Sequence, residues 1–118
     1  MMIDKGSGYI YLAGPYSHPD AEVRHARYQA LTAKAAELML ENYVVFSPIT
    51  HGHAVAMGHN LPTDFAWWEL QCLGMLRHAS KLVVLTLDGW EHSKGVEVEV
   101  EFARKSGISI EYIPAIDI

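Results

Sequence analysis

One cysteine is all that the chain has. Cys72 has no intrachain partner, which excludes a disulfide framework and fits a reducing compartment. Positive charge is also scarce: 9 Lys and Arg against 14 Asp and Glu leave a formal net charge of −5. That argues against long nucleic acid as a partner, because its phosphate backbone is held by broad clusters of Lys and Arg. A small anion stays open, since helix N-termini supply local positive potential inside an acidic protein. No apolar run approaches the ~20 residues of a membrane span. The stretch "MMIDKGSGYIYLAG" lacks the basic region and long apolar run of a secretory leader. A cytoplasmic protein with no membrane partner is expected. No GxGxxG fingerprint follows the first strand candidate, so no dinucleotide cofactor is expected.

What is present suffices for a core. The 118 residues are 50% hydrophobic and only 19% charged, which suits one globular domain over residues 1–118. "GYIYLAG" (Gly8 to Gly14) reads as a buried first strand. Ser17 or His18 is available to cap the helix after it, with Pro19 in the first turn. That helix runs from Asp20 to about Glu41, and Tyr43 to Pro48 form a short second strand. Ile49 to Asp64, broken by glycine and proline, reads mostly as loop. Thr63 or Asp64 then caps a helix to about His78, "KLVVLTL" (Lys81 to Leu87) is the central strand, and Ile108 to Ile113 the last.

"GVEVEVEFARKSG" (Gly95 to Gly107) alternates like a half-buried strand. Topology and ends favour helix instead. A strand here would form a hairpin in an otherwise alternating chain, Ser93 is a good N-cap, and Gly107 suits a C-terminal stop. At about 100° per residue Val96, Val98, Val100, Phe102 and Ala103 share one arc, and Glu99 falls inside it. An inward carboxylate is costly unless it is paired or used, so Glu99 is either structural or part of a site. On the helix from Asp64, Glu69 likewise falls among Phe65, Trp68, Cys72 and Leu76. The pair suggests a shared polar pocket, although Glu69 fits an oligomer interface as well.

Strands alternating with helices imply a parallel sheet, with ligands beyond the carboxyl ends of its strands. The loops there are "GPYS", "SPITHGH" and "DGWEHSKG". In order, "YLAGP", "LVVLTL" and the spacing Ser93, Gly95, Glu99 resemble the nucleoside 2-deoxyribosyltransferase superfamily, most nearly its small bacterial and phage members. The resemblance covers most of the chain. It implies a flavodoxin-like (Rossmann-like), doubly wound α/β fold and cleavage of an N-glycosidic bond, with Glu99 as nucleophile and Tyr11 orienting it.

In that superfamily, serine at position 93 rather than aspartate goes with nucleoside 5′-monophosphates. A hydroxyl with helix amides suits phosphate, whereas a carboxylate repels it. Gly14, Ser17 and Gly95 would help cradle the same anion. One departure stands out: Cys72 occupies the position where relatives carry an aspartate that protonates the leaving base, so Glu69 or Asp64 is expected to serve. His51 and Trp90, beyond strand ends, are candidates to touch the ligand. His51, His53 and His59 lack the acidic or cysteine partners of a metal site, and no metal is expected.

The expected function is hydrolysis of the N-glycosidic bond of a (deoxy)nucleoside 5′-monophosphate by a homo-oligomer without a cofactor. The alternatives are base exchange between nucleosides and nucleotide binding without turnover.

Overall fold

The computed structural model describes residues 8–115. The first seven residues, half of the stretch read for a leader, lie outside them. Four strands, β1 (Ile10–Ala13), β2 (Val45–Phe46), β3 (Lys81–Thr86) and β4 (Ser109–Pro114), alternate with four helices. These are α1 (Ala21–Leu40), α2 (Pro48–His59), α3 (Phe65–Leu76) and α4 (Lys94–Ser106). The strands lie in the order β2-β1-β3-β4, and every pairing is parallel. This is the doubly wound, flavodoxin-like α/β arrangement. The chain winds outward from β1 in one direction and from β3 in the other, so the switch point falls between the two central strands.

Both central strands are buried on both faces, and alternate residues serve opposite layers. Ile10, Leu12, Val83 and Leu85 pack against Leu31, Ala35 and Leu38 of α1. Tyr11, Ala13, Leu82 and Val84 face Cys72 and Leu76 of α3 and Val96 and Ala103 of α4. Each fully buried leucine of these layers contributes about 1.5–3 kcal/mol from burial alone.

The segment "GVEVEVEFARKSG" is a helix. Ser93 Oγ accepts from the Val96 amide at 3.2 Å, and Gly107 closes the helix at φ 74°. Val96, Glu99 and Ala103 are its buried residues, while Glu101 faces Arg104 and Lys105 at the surface.

Several expectations are corrected. Residues 49–64 are not mostly loop, because α2 occupies Pro48–His59. Ser47 caps it by accepting from the Thr50 amide, Pro48 suits its first turn, and Asn60 ends it in the left-handed region. Its two glycines are tolerated, and Gly52 allows the Trp68 ring to approach to 3.4 Å from where a Cβ would be. The cap of α1 is Asp20, not Ser17 or His18, and its carboxylate accepts from the Glu22 amide. His18 instead accepts the Asp20 amide. The second strand shrinks to Val45–Phe46, since only these residues find register beside Ile10 and Tyr11. Among the described residues no helix is long and apolar enough to cross a membrane.

Candidate active site

The loops leaving β1 and β3 part at the switch point. Arg27 of α1 ties them together, donating to the carbonyls of Ser17 at 3.1 Å and Asp88 at 3.2 Å. Gly89 makes this bridge feasible: its φ is 88°, and a Cβ there would meet the guanidinium at 2.7 Å.

Beneath these loops lies a cavity of about 460 Å³ at the carboxyl end of the sheet. Its walls come from the loop after β1, from α2, from the start of α3 and from the start of α4. Phe65, Trp68, Ile49 and Ala56 make one side apolar. Ser93, Lys94 and Gly95 bring the N-terminus of α4 to another. Gly95 has no room for a side chain, since a Cβ would lie 2.8 Å from the Phe65 ring.

Glu99 lines this cavity from the second turn of α4 and is only 4% exposed. Its Oε2 accepts a hydrogen bond of 2.5 Å from the Tyr11 hydroxyl, which projects from the middle of β1. Tyr11 is itself fully buried, braced by the Phe46 ring with centroids 6.0 Å apart. Burial pushes the Glu99 carboxyl up to about 7, with the Tyr11 hydrogen bond pulling partly the other way. Both protonation states are therefore accessible near neutral pH. Tyr11 is held well above the usual phenol range by burial, and by the Glu99 charge beside it. Burial and the same charge push the Cys72 thiol, another wall residue, up to about 12, so it stays protonated.

Of the residues singled out from sequence, Gly14, Ser17, Asp64, Ser93, Gly95 and Glu99 line the cavity, and Tyr11 touches it through Glu99. Three do not. Glu69 is exposed rather than embedded, because only Cys72 and Leu76 of α3 are buried and the arc read as apolar turns partly outward, leaving Leu70 81% exposed. His51 is also exposed, with its ring against Phe46. Trp90 packs on Tyr112 at 5.4 Å and offers the cavity no face. Asp64 lies at the rim, where its carboxylate caps α3 by accepting from the Trp67 amide at 3.3 Å.

Sequence reasoning missed Tyr16, His53, Phe65 and Trp68 as cavity residues. His53 Nδ1 meets the Tyr16 hydroxyl at 2.7 Å, and its ring stacks on Tyr28 at 4.2 Å. The missing signal was the "SP" pair at 47–48, which marks a helix start. Once α2 is helical, residues 51 and 53 lie about 200° apart, so one histidine turns out and the other in. Among the described residues no three His, Cys, Asp or Glu side chains are grouped to hold a metal ion.

A parallel α/β domain with a buried, tyrosine-bonded carboxylate at its switch point is the class of protein that fold and cavity define. The pattern of the family described as "Domain of unknown function (DUF1937)" matches residues 8–113, and the chain belongs to that family. No curated protein matches the chain.

Proposed function

We propose that this cavity hydrolyses the N-glycosidic bond of a (deoxy)nucleoside 5′-monophosphate, with Glu99 as nucleophile. The observation that carries the reading is the Glu99–Tyr11 pair: a buried carboxylate in a cavity wall, oriented by a fully buried hydroxyl. Among the described residues no cation pairs with it, so an ion pair with any of them does not account for its burial. The resemblance to the nucleoside 2-deoxyribosyltransferase superfamily, which places the nucleophile on the same residue, supports it independently.

Ionised Glu99 attacks the anomeric carbon as the bond to the base breaks, forming a glycosyl ester on Oε1 or Oε2. The Tyr11 hydroxyl fixes the orientation of the carboxylate. Water then cleaves the ester and regenerates Glu99. The phosphate is placed at the N-terminus of α4, where the amides of Lys94 and Gly95 donate to no described residue and Ser93 carries a hydroxyl rather than a charge. The protein acts in nucleotide metabolism in the cytoplasm, as an oligomer in which the exposed apolar residues of α3 are covered.

Chromatography tests this directly. Wild type should release free base from one or more deoxynucleoside 5′-monophosphates, and Glu99→Gln should release none while still binding them. Saturable binding with no free base from any nucleotide or nucleoside would make the cavity a binding site and overturn the hydrolase.

A further inference from the structure

A departing nucleobase takes the electron pair of the broken bond, so the site needs a group that stabilises charge on the base. The residues expected to do this are poorly placed. Glu69 lies outside the cavity, and the Asp64 carboxylate accepts the amide that begins α3. The Cys72 thiol remains protonated but is a weak donor.

His53 is better arranged. It is nine-tenths buried and forms part of the cavity wall beside Ala56 and Gly52. Its Nδ1 is paired with the Tyr16 hydroxyl at 2.7 Å, whereas Nε2 has no hydrogen-bond partner among the described residues. Burial pushes the Tyr16 phenol above its ordinary range, so it keeps its proton; donating that proton to Nδ1 is the pairing that puts the imidazole's own proton on Nε2. The ring is further held by Tyr28, stacked at 4.2 Å and inclined by 22°. Burial, with His25 and Arg24 nearby, pushes its pKa below the ordinary value and keeps the ring neutral.

We propose that His53, its tautomer set by Tyr16, is the catalytic residue that donates an Nε2–H hydrogen bond to the base as it leaves. This rests on the hydrolase reading above. As a Glu99 oxygen bonds to the anomeric carbon, the carbon–nitrogen bond breaks and its electron pair passes to the base. The base departs as an anion, held by the Nε2–H donor, and takes its proton from water afterwards. His53 neither gains nor loses a proton, so no second base is needed to restore it.

The test compares two leaving groups. One is the natural base of deoxynucleoside 5′-monophosphates, and the other is 4-nitrophenolate from 4-nitrophenyl 2-deoxyribofuranoside 5-phosphate, which departs as a stable anion without help. His53→Ala should lower kcat/KM on the monophosphates about 10²-fold, the usual loss for removing such a donor. It should leave the nitrophenyl substrate near the wild-type rate. His53→Gln, which keeps an N–H donor, should recover part of the loss. Tyr16→Phe should cost about tenfold on the monophosphates alone, as the loss of one hydrogen bond predicts. Equal losses on both substrates, or none, would overturn the role of His53. Should His53→Ala fail to fold, the Gln and Phe variants make the same comparison. If wild type cleaves both substrates, Glu99→Gln cleaves neither and the His53 variants match wild type, the hydrolase stands and only this inference falls. Wild type inert on both removes both.

Discussion

Replacing Tyr11 with phenylalanine removes one hydroxyl and leaves the ring that packs against Phe46. That hydroxyl donates to Glu99 Oε2 at 2.5 Å, so it favours the ionised carboxylate. A hydrogen bond to a charged group is worth about 1.5–3 kcal/mol. At 1.36 kcal/mol per pH unit, its loss moves Glu99 upward by about one to two units. Glu99 starts from about 7, which puts the variant near 8–9. At pH 7 the ionised fraction falls from about one half to between about one-tenth and one-hundredth, so kcat/KM drops about 5- to 50-fold. The decisive assay is the full pH profile of base release. If Tyr11 acts through the charge of Glu99, the acid limb shifts upward and most activity returns by pH 9. A loss that is uniform across pH, with the limb unmoved, would refute this reasoning and leave Tyr11 as packing.

Two further predictions use the same geometry differently. Glu99 has a raised folded-state pKa, so the native state favours its neutral form. Its contribution to stability is complete below about 4.5 and is lost as pH rises through about 7, some 3 kcal/mol in all. Glu99→Gln should therefore be more stable than wild type by about that amount at pH 8 and nearly equal to it at pH 4. Urea unfolding across this range checks it, and a pH-independent difference would contradict it. Ser93→Asp keeps a good cap for α4, because aspartate accepts an amide as well as serine does. It should weaken binding of 5′-monophosphates at least about tenfold while sparing nucleosides, through like-charge repulsion in a half-buried site; calorimetric titration of both ligands decides, and equal weakening would remove the phosphate from that end.

The sheet was legible because a fully buried parallel strand leaves a continuous apolar run between turn residues, and "YIYLA" and "KLVVLT" are such runs. The helix 94–106 was legible despite its alternating valines and glutamates. Its cap, its glycine stop and the alternating order of elements all agreed, and its projection put Glu99 inward. The same projection misled for Glu69. A periodicity shows which residues share a face, but not whether a neighbour covers it, and around Leu70 none of the described elements does.

By itself, then, the sequence determined the parallel sheet, the helices α1, α3 and α4 and the one carboxylate that faces inward, since each follows from local pattern and chain order. Only the tertiary structure decided that α2 forms across two glycines, that His53 rather than His51 reaches the cavity, and that Tyr11 and Glu99 meet across 88 positions of sequence. Those outcomes depend on which surfaces pack together, and packing between distant segments leaves no periodic trace in either one.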